Sequence, residues 1–373
     1  MTDVTSDRSG AGAVDERIGK RSWASRVLSR PESGAIVGTV LVFLFFALTA
    51  GRTGMFMPDG ILSWTVVAAQ LMIIASGAAL LMIGGEFDLS VGSMIAFSGM
   101  MIAIPTSFYG VPLGISVLFA FLGALVIGAI NGIIVVRTRL PSFIVTLASL
   151  YILRGMTIAL SILFANRTIV GGLKPAIEKS FVAHLFTGAV LTGLFDRLTD
   201  AGVLQRLPNG QPAIPGVPMI VVWALVIAIV AHVVLSKTRV GNWIFASGGD
   251  QNAARKVGVP VNSVKIGLFM LTAFCATVYA TCQVMEFGSA AADRGILKEF
   301  EAIIAAVIGG CLLTGGYGSV VGACFGALIF GVVQIGILFT GVPNDWFQVF
   351  LGVMLLIAVL FNNVIRRRVV GER

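Results

Sequence analysis

The sequence predicts an all-helical, polytopic membrane protein: a transmembrane bundle of about ten spans, with short or broken helices near 84–95 and 309–320. Three observations carry this. Of 373 residues, 57% are apolar and only 12% are charged, and the mean hydropathy of +0.96 lies far from that of a soluble globule. Uncharged apolar runs of about 20 residues recur, each long enough to cross a bilayer as a helix. Small-residue motifs such as "GAING" (Gly128 to Gly132) and "GACFG" (Gly322 to Gly326) suit close helix packing in lipid.

The elements follow in order. Residues 1–34 are polar and mixed in charge, without an early apolar core, and read as a flexible cytoplasmic tail. One transmembrane domain covers 35–365. Its spans are expected at 35–50, 62–83, 92–109, 112–136, 143–165, 217–236, 265–285, 301–314, 319–340 and 346–364. The third and eighth are short with Gly-rich ends. They read as broken or partial helices, tolerable only where they are buried in protein or line a cavity. Between the fifth and sixth spans, 166–216 forms an outer loop. Its apolar stretch 180–195 is closely flanked by charges and reads as an interfacial helix, the alternative being an eleventh span that would invert all that follows. Pro208, Pro212, Pro215 and Pro218 mark an irregular return. Residues 237–264 form a cytoplasmic loop, and 366–373 a basic tail.

Orientation follows from Lys and Arg. One side collects six in the tail, Arg137 and Arg139, five from Lys237 to Lys265, and four from Arg366 to Arg373. The other side holds eight of the 26, and Arg154 lies within a span. Positive charge stays inside, so both termini are expected in the cytoplasm. The net charge of +8 reflects these loops. No interleaving of basic and aromatic residues points to nucleic acid.

No spacing suggests a catalytic nucleophile, base and orienting group. There is no GxxxxGK[ST], so energy must come from an ion gradient or a separate subunit. Cys275, Cys282, Cys311 and Cys324 sit in apolar runs and read as small core residues, and His184 and His232 have no ligand-spaced companions. No metal site is expected.

Three places hold scarce polar residues. "GGEFDLSVGS" (84–93) puts Glu86 and Asp88 between apolar runs. Asp88 can cap a helix starting at Leu89 or Ser90, while Glu86 reads as a solvated loop charge or as part of an inner mouth. Arg154 is the ionisable residue expected at the centre of the spans, either locking backbone carbonyls or lining a pathway. In the loop "KTRVGNWIFASGGDQNAARKVGVPVNSVK" (237–265), Asp250 can cap a short helix with "QNAARKVG" as its body. That helix suits docking into a partner's groove, or is an ordinary solvated loop helix. A weak echo links "GGEFDLSVGSMIAF" to "GGCLLTGGYGSVVGACF" at 309–325, in the sense of a parallel repeat.

"FDLSVGSMIAFSG" (87–99), "LPSFIVTLASLYILRG" (140–155) and the run from "NWIFASGGDQNAARKVGVPVNSVKI" to "LIAVLFN" at 362 carry a resemblance to the ribose-type permeases of bacterial ABC importers, within the sugar and branched-chain amino-acid permease superfamily. It covers roughly 40–165 and 217–365. It implies a non-enzymatic permease subunit of the bacterial inner membrane. Such a subunit pairs with a second copy or a paralogous permease, with a cytoplasmic ATP-binding subunit, and with a periplasmic binding protein. The chain itself would bind no cofactor; ATP and Mg would belong to the ATPase. The expected solute is a monosaccharide or polyol. The ATPase-coupling loop would be Gly248, Gly249, Asp250, Gln251, Asn252, Ala253, Ala254, Arg255, Lys256, Val257 and Gly258. Candidate pathway or gating residues are Glu86, Asp88, Ser90, Ser93, Asn131 and Arg154. Two departures bear on the solute: Glu86 stands where the family commonly has Gly, and 166–216 is long. The alternative is a self-contained carrier or facilitator for small neutral solutes.

Overall fold

The computed structural model describes residues 32–207, 210–343, 345–354, 356–357 and 360. The expected tails at 1–34 and 366–373 lie outside the described residues, save for 32–34. In chain order the helices are α1 (Ser33–Ala50), α2 (Pro58–Ile83), α3 (Val91–Tyr109), α4 (Leu113–Thr138), α5 (Ser142–Ala165), α6 (Lys174–Lys179), α7 (Thr192–Asp200), α8 (Met219–Lys237), α9 (Arg239–Gly249), α10 (Gln251–Lys256), α11 (Val261–Phe287), α12 (Lys298–Ile308) and α13 (Val320–Phe339). Among the described residues, eight are long and apolar enough to cross a membrane: α1 to α5, α8, α11 and α13.

The expected short and broken helices are present, and one of the two breaks shifts. The third span is a continuous 19-residue helix, and the break lies before it, at 84–90. The eighth is a half-helix: the 11 residues of α12 rise only about 16 Å at 1.5 Å per residue, too little to cross. It begins after an irregular connection, 288–297. At the tenth, residues 346–354 are helical, and most of the remainder lies outside the described residues.

The stretch 180–195 is not one interfacial helix. Gly188 (φ 88°) and Leu191 (φ 61°) adopt left-handed backbone that interrupts any helix. A single 3-10 turn at Ala183–Leu185 precedes β2 (Ala189–Val190), which pairs antiparallel with β3 (Val217–Pro218). The segment folds back on the bundle: Trp223 Nε1 donates to the Leu185 carbonyl at 2.6 Å, and Phe186 stacks on Trp223 at 5.2 Å. It does not span, so it adds no crossing. A second short ladder ties β1 (Ile169–Val170) to β4 (Ala290–Ala291).

The bundle has centre and periphery. In the apolar windows of α2 and α11, 78% of residues are buried, against 22% in α1 and α5. α11 lies against α2, α3 and α4, and α13 lies against α1, α2 and α12. Both small-residue motifs are crossing points. A Cβ on Gly128 or Gly132 would press on the α11 backbone at Phe269–Met270 or Ile266, and one on Gly322 or Gly326 would overlap Gly309, just past α12, or Ala305 within it. In lipid, such close approach replaces the hydrophobic drive available in water.

Candidate functional site at the loop-bearing end

Two non-helical segments, 84–90 and 309–319, meet the C-terminal end of α9 at one end of the bundle. α2 stops at Gly84–Gly85, where Gly85 takes φ 83°. The Gly316 N–H donates to the Ile83 carbonyl at 2.8 Å, joining the two segments. A Cβ on Gly248 would overlap that same Ile83 carbonyl, and one on Gly315 would lie 2.7 Å from Gly85 Cα. The two echoing Gly-Gly segments therefore stand side by side, with the end of α9 wedged against both. Arg139, at the end of α4, shares a cavity with Glu86, Gln251 and Lys265. Ser319 Oγ donates to Glu32 at 2.7 Å, which brings the start of α1 to the same end.

Side chains of α4, α5 and α11 hold 84–90 in place. Phe87 N–H donates to Ser142 Oγ and Leu89 N–H to Thr146 Oγ1, each at 3.0 Å. Asp88 Oδ1 accepts from the Ser90 N–H (2.9 Å) and Oγ (2.6 Å), and Oδ2 accepts from Thr272 Oγ1 at 2.5 Å. Asn131 Nδ2 donates to Ser90 Oγ at 3.2 Å. Asp88 thus satisfies a free N–H, as expected, but of Ser90 rather than of the helix itself, which starts at Val91. It also reaches across to α11.

Glu86 is not a solvated loop charge. It is 8% exposed, and its carboxylate forms an ion pair with the Lys265 ammonium, which also donates to Gln251 Oε1 at 3.2 Å. A pocket of about 390 Å³ opens beside this pair, lined by Ser247, Asp250, Gln251 and Thr314 among others. Of the sequence-derived pathway candidates, Glu86, Asp88, Ser90 and Asn131 come together here. Ser93 Oγ is buried without a partner. Arg154 stands apart and donates to the Ala292 (2.9 Å) and Arg294 (3.2 Å) carbonyls of the 288–297 connection, the carbonyl-locking alternative.

Lys265 and Thr272 were not singled out by sequence reasoning. Both partner residues more than 170 positions away, and no local pattern signals such a pair. The expectation that Arg154 alone carries charge in the central spans also needs correction: Glu299 and Glu301, in the first turn of α12, are 5% and 6% exposed.

The 237–264 loop is more helical than expected. Thr238 caps α9. Asp250 Oδ1 then accepts from the Asn252 (2.9 Å) and Ala253 (3.0 Å) N–H groups. The Ala253 N–H, then that of Asn252, hold the Asp250 carboxyl below the usual carboxylate range. Within α10 only Ala254 is buried, and Val257, just past it, is 79% exposed. Gly258 ends the turn at φ 85°.

Residues 60–359 match the family model described as branched-chain amino acid transport system / permease component. The chain is 33% identical over 294 residues to the ribose import permease protein RbsC of Escherichia coli (strain K12), covering 78% of this chain and 81% of that one. It is 29% identical over 367 residues to the xylose transport system permease protein XylH of the same strain, covering 89% and 92%. It is 30% identical over 388 residues to the probable ABC transporter permease protein y4mJ of Sinorhizobium fredii, covering 99% of each. No solved structure matches the chain.

Proposed function

The chain belongs to the branched-chain amino acid transport system / permease component family, a multi-pass membrane permease family, and from this we propose that it is the membrane-spanning subunit of a bacterial ABC importer for a monosaccharide or polyol. ATP would be hydrolysed on a cytoplasmic partner, and a periplasmic binding protein would deliver the solute at the opposite end, where 166–216 lies. Two copies, or one copy and a paralogous permease, would frame the pathway. Both termini would be cytoplasmic. The relatives named for ribose and xylose import support the solute class.

The observation that carries the coupling role is the placing of α10. It is capped, charged, exposed on nearly every residue, and followed by the bare apolar Val257. The end of α9 that leads into it lies, at Gly248, against the Ile83 carbonyl at the break between α2 and α3. A push on α10 by a docked ATPase would therefore reach the 84–90 segment directly. Arg137, Arg139 and the five Lys and Arg from Lys237 to Lys265 fall on this side, which supports its cytoplasmic placement.

The test is uptake of radiolabelled ribose and xylose into proteoliposomes holding the chain, a candidate ATPase from the same source and its binding protein. ATP-dependent accumulation is expected, with a Gln251→Cys variant cross-linking to the ATPase. Equilibration of sugar without ATP or ATPase would instead identify a self-contained facilitator.

A further inference from the structure

Away from the loop-bearing end, the 288–297 connection and the start of α12 press against one strip of α3. A Cβ on Gly92 would overlap Glu299 Oε2, and one on Gly295 would overlap the Gly92 carbonyl and crowd Ile95. Further along, Ala96 and Gly99 face Ala290, Gln283 and Arg294. From Gly92 to Gly99 this strip runs about 10 Å along the helix.

Three side-chain atoms along it are buried without a hydrogen-bond partner: Glu299 Oε2, Gln283 Oε1 and Arg294 Nη1. Gln283 and Arg294 are each held by their other end. Gln283 Nε2 donates to the Tyr279 hydroxyl at 3.1 Å. Arg294 Nη2 donates to Ser289 Oγ at 3.2 Å, and its guanidinium lies 4.6 Å over the Phe287 ring. Glu299 is 5% exposed. Buried polar atoms are nearly always paired, and one left unpaired is costly enough to demand an explanation.

We propose that these groups form a recognition site for the transported solute within the membrane, and that they are paired by its hydroxyl groups in another conformational state. The inference rests on the importer reading and deepens it. The chemistry selects the ligand class. A carboxylate beside an amide acceptor repels anions, and the guanidinium repels cations. A hydroxyl both donates and accepts, so a polyhydroxylated neutral molecule satisfies two acceptors and one donor together. The half-helix α12, beginning inside the bundle, is the kind of interruption that places polar groups at a solute site. As it stands the strip is closed, with less space between its walls than one water molecule needs. The site must open as α11 and the 288–297 connection part from α3.

The test uses the chain with its ATPase and binding protein in proteoliposomes. Gln283→Cys is placed in a background with Cys275, Cys282, Cys311 and Cys324 replaced by Ala. Its reaction with methyl methanethiosulfonate is timed with and without MgATP, against ribose, xylose, galactose and xylitol. The transported compound, at ten times its half-saturating concentration, should slow the reaction about tenfold by occupancy, and the others should not. Adding Arg294→Leu should remove that protection. The site inference is overturned if the transported compound gives no protection, or if the thiol of the Gln283→Cys variant never reacts in any nucleotide condition. A parallel Gln283→Ser variant that transports with unchanged preference across the four compounds would overturn it as well. If the wild type takes up none of them, the importer reading falls, and this inference falls with it.

Discussion

Lys265 of α11 closes a buried ion pair on Glu86, 179 positions earlier in the chain, and through Gln251 the same ammonium touches the first residue of α10. One cation thus joins the end of α2, the start of α11 and the exposed loop helix. Removing one member of a buried pair leaves the other charge stranded, at a cost of about 3–5 kcal/mol, whereas replacing both with apolar groups is often neutral. Glu86→Ala and Lys265→Ala should each sharply lower folded yield and melting temperature in detergent. The double variant Glu86→Leu/Lys265→Met should recover most of both and lose ATP-driven uptake. Wild-type melting in Glu86→Ala would show that the pair contributes nothing to the fold.

Asp88 receives three hydrogen bonds from Ser90 and Thr272. Asp88→Ala should strand buried donors, each costing about 1–3 kcal/mol, and depress yield together with uptake. Asp88→Asn keeps one acceptor and should retain much of both. A well-folded, transport-dead Asp88→Asn would assign the pathway a need for the carboxylate charge itself. Yield by fluorescence size exclusion, set against uptake in the same vesicles, decides the matter.

Gly248 and Gly249 are neighbours with opposite tolerance. A Cβ on Gly248 would overlap the Ile83 carbonyl, while one on Gly249 meets nothing within 4 Å. Gly248→Ala should therefore separate α9 from the 84–90 and 309–319 segments and abolish ATP-driven uptake. Gly249→Ala should pass unnoticed. Equal behaviour of the two variants in one uptake assay would refute the wedge.

The Asp250 cap carries a pH signature. Its folded value is depressed by the Ala253 and Asn252 N–H groups. Its contribution is therefore complete above the ordinary carboxylate range and is lost only as pH falls through the lower folded value. From about pH 5 to 8 the cap stays ionised, so coupling should not vary through this group. Asp250→Ala should cut ATP-driven uptake across that whole range while leaving membrane insertion intact. A loss seen only at the acid end would contradict the cap.

Topology is checked by single cysteines in the Cys-to-Ala background. Ser180→Cys and Asp200→Cys should react with an impermeant maleimide added to intact cells, and Gln251→Cys only after permeabilisation. Labelling of Gln251→Cys from outside would invert the orientation proposed for the chain.

The sequence by itself determined the class, the approximate positions of most spans and the Asp250 cap. All of these rest on local signals: runs of apolar residues, and an acceptor two and three residues before free N–H groups. It also marked Gly128, Gly132, Gly322 and Gly326 as contact points, because only small residues let helices approach in lipid. Which helices are central was not legible. α1 and α2 have nearly the same hydropathy, 2.2 and 2.3, yet 22% and 78% of their windows are buried. Lipid and protein interior are equally apolar, so a span facing either reads alike. Only the tertiary structure decided that Glu86 meets Lys265, that Thr272 meets Asp88, and that Glu299 and Glu301 are buried in a half-helix. A buried charge in a membrane needs a partner, and that partner can stand anywhere in the chain that packing brings alongside.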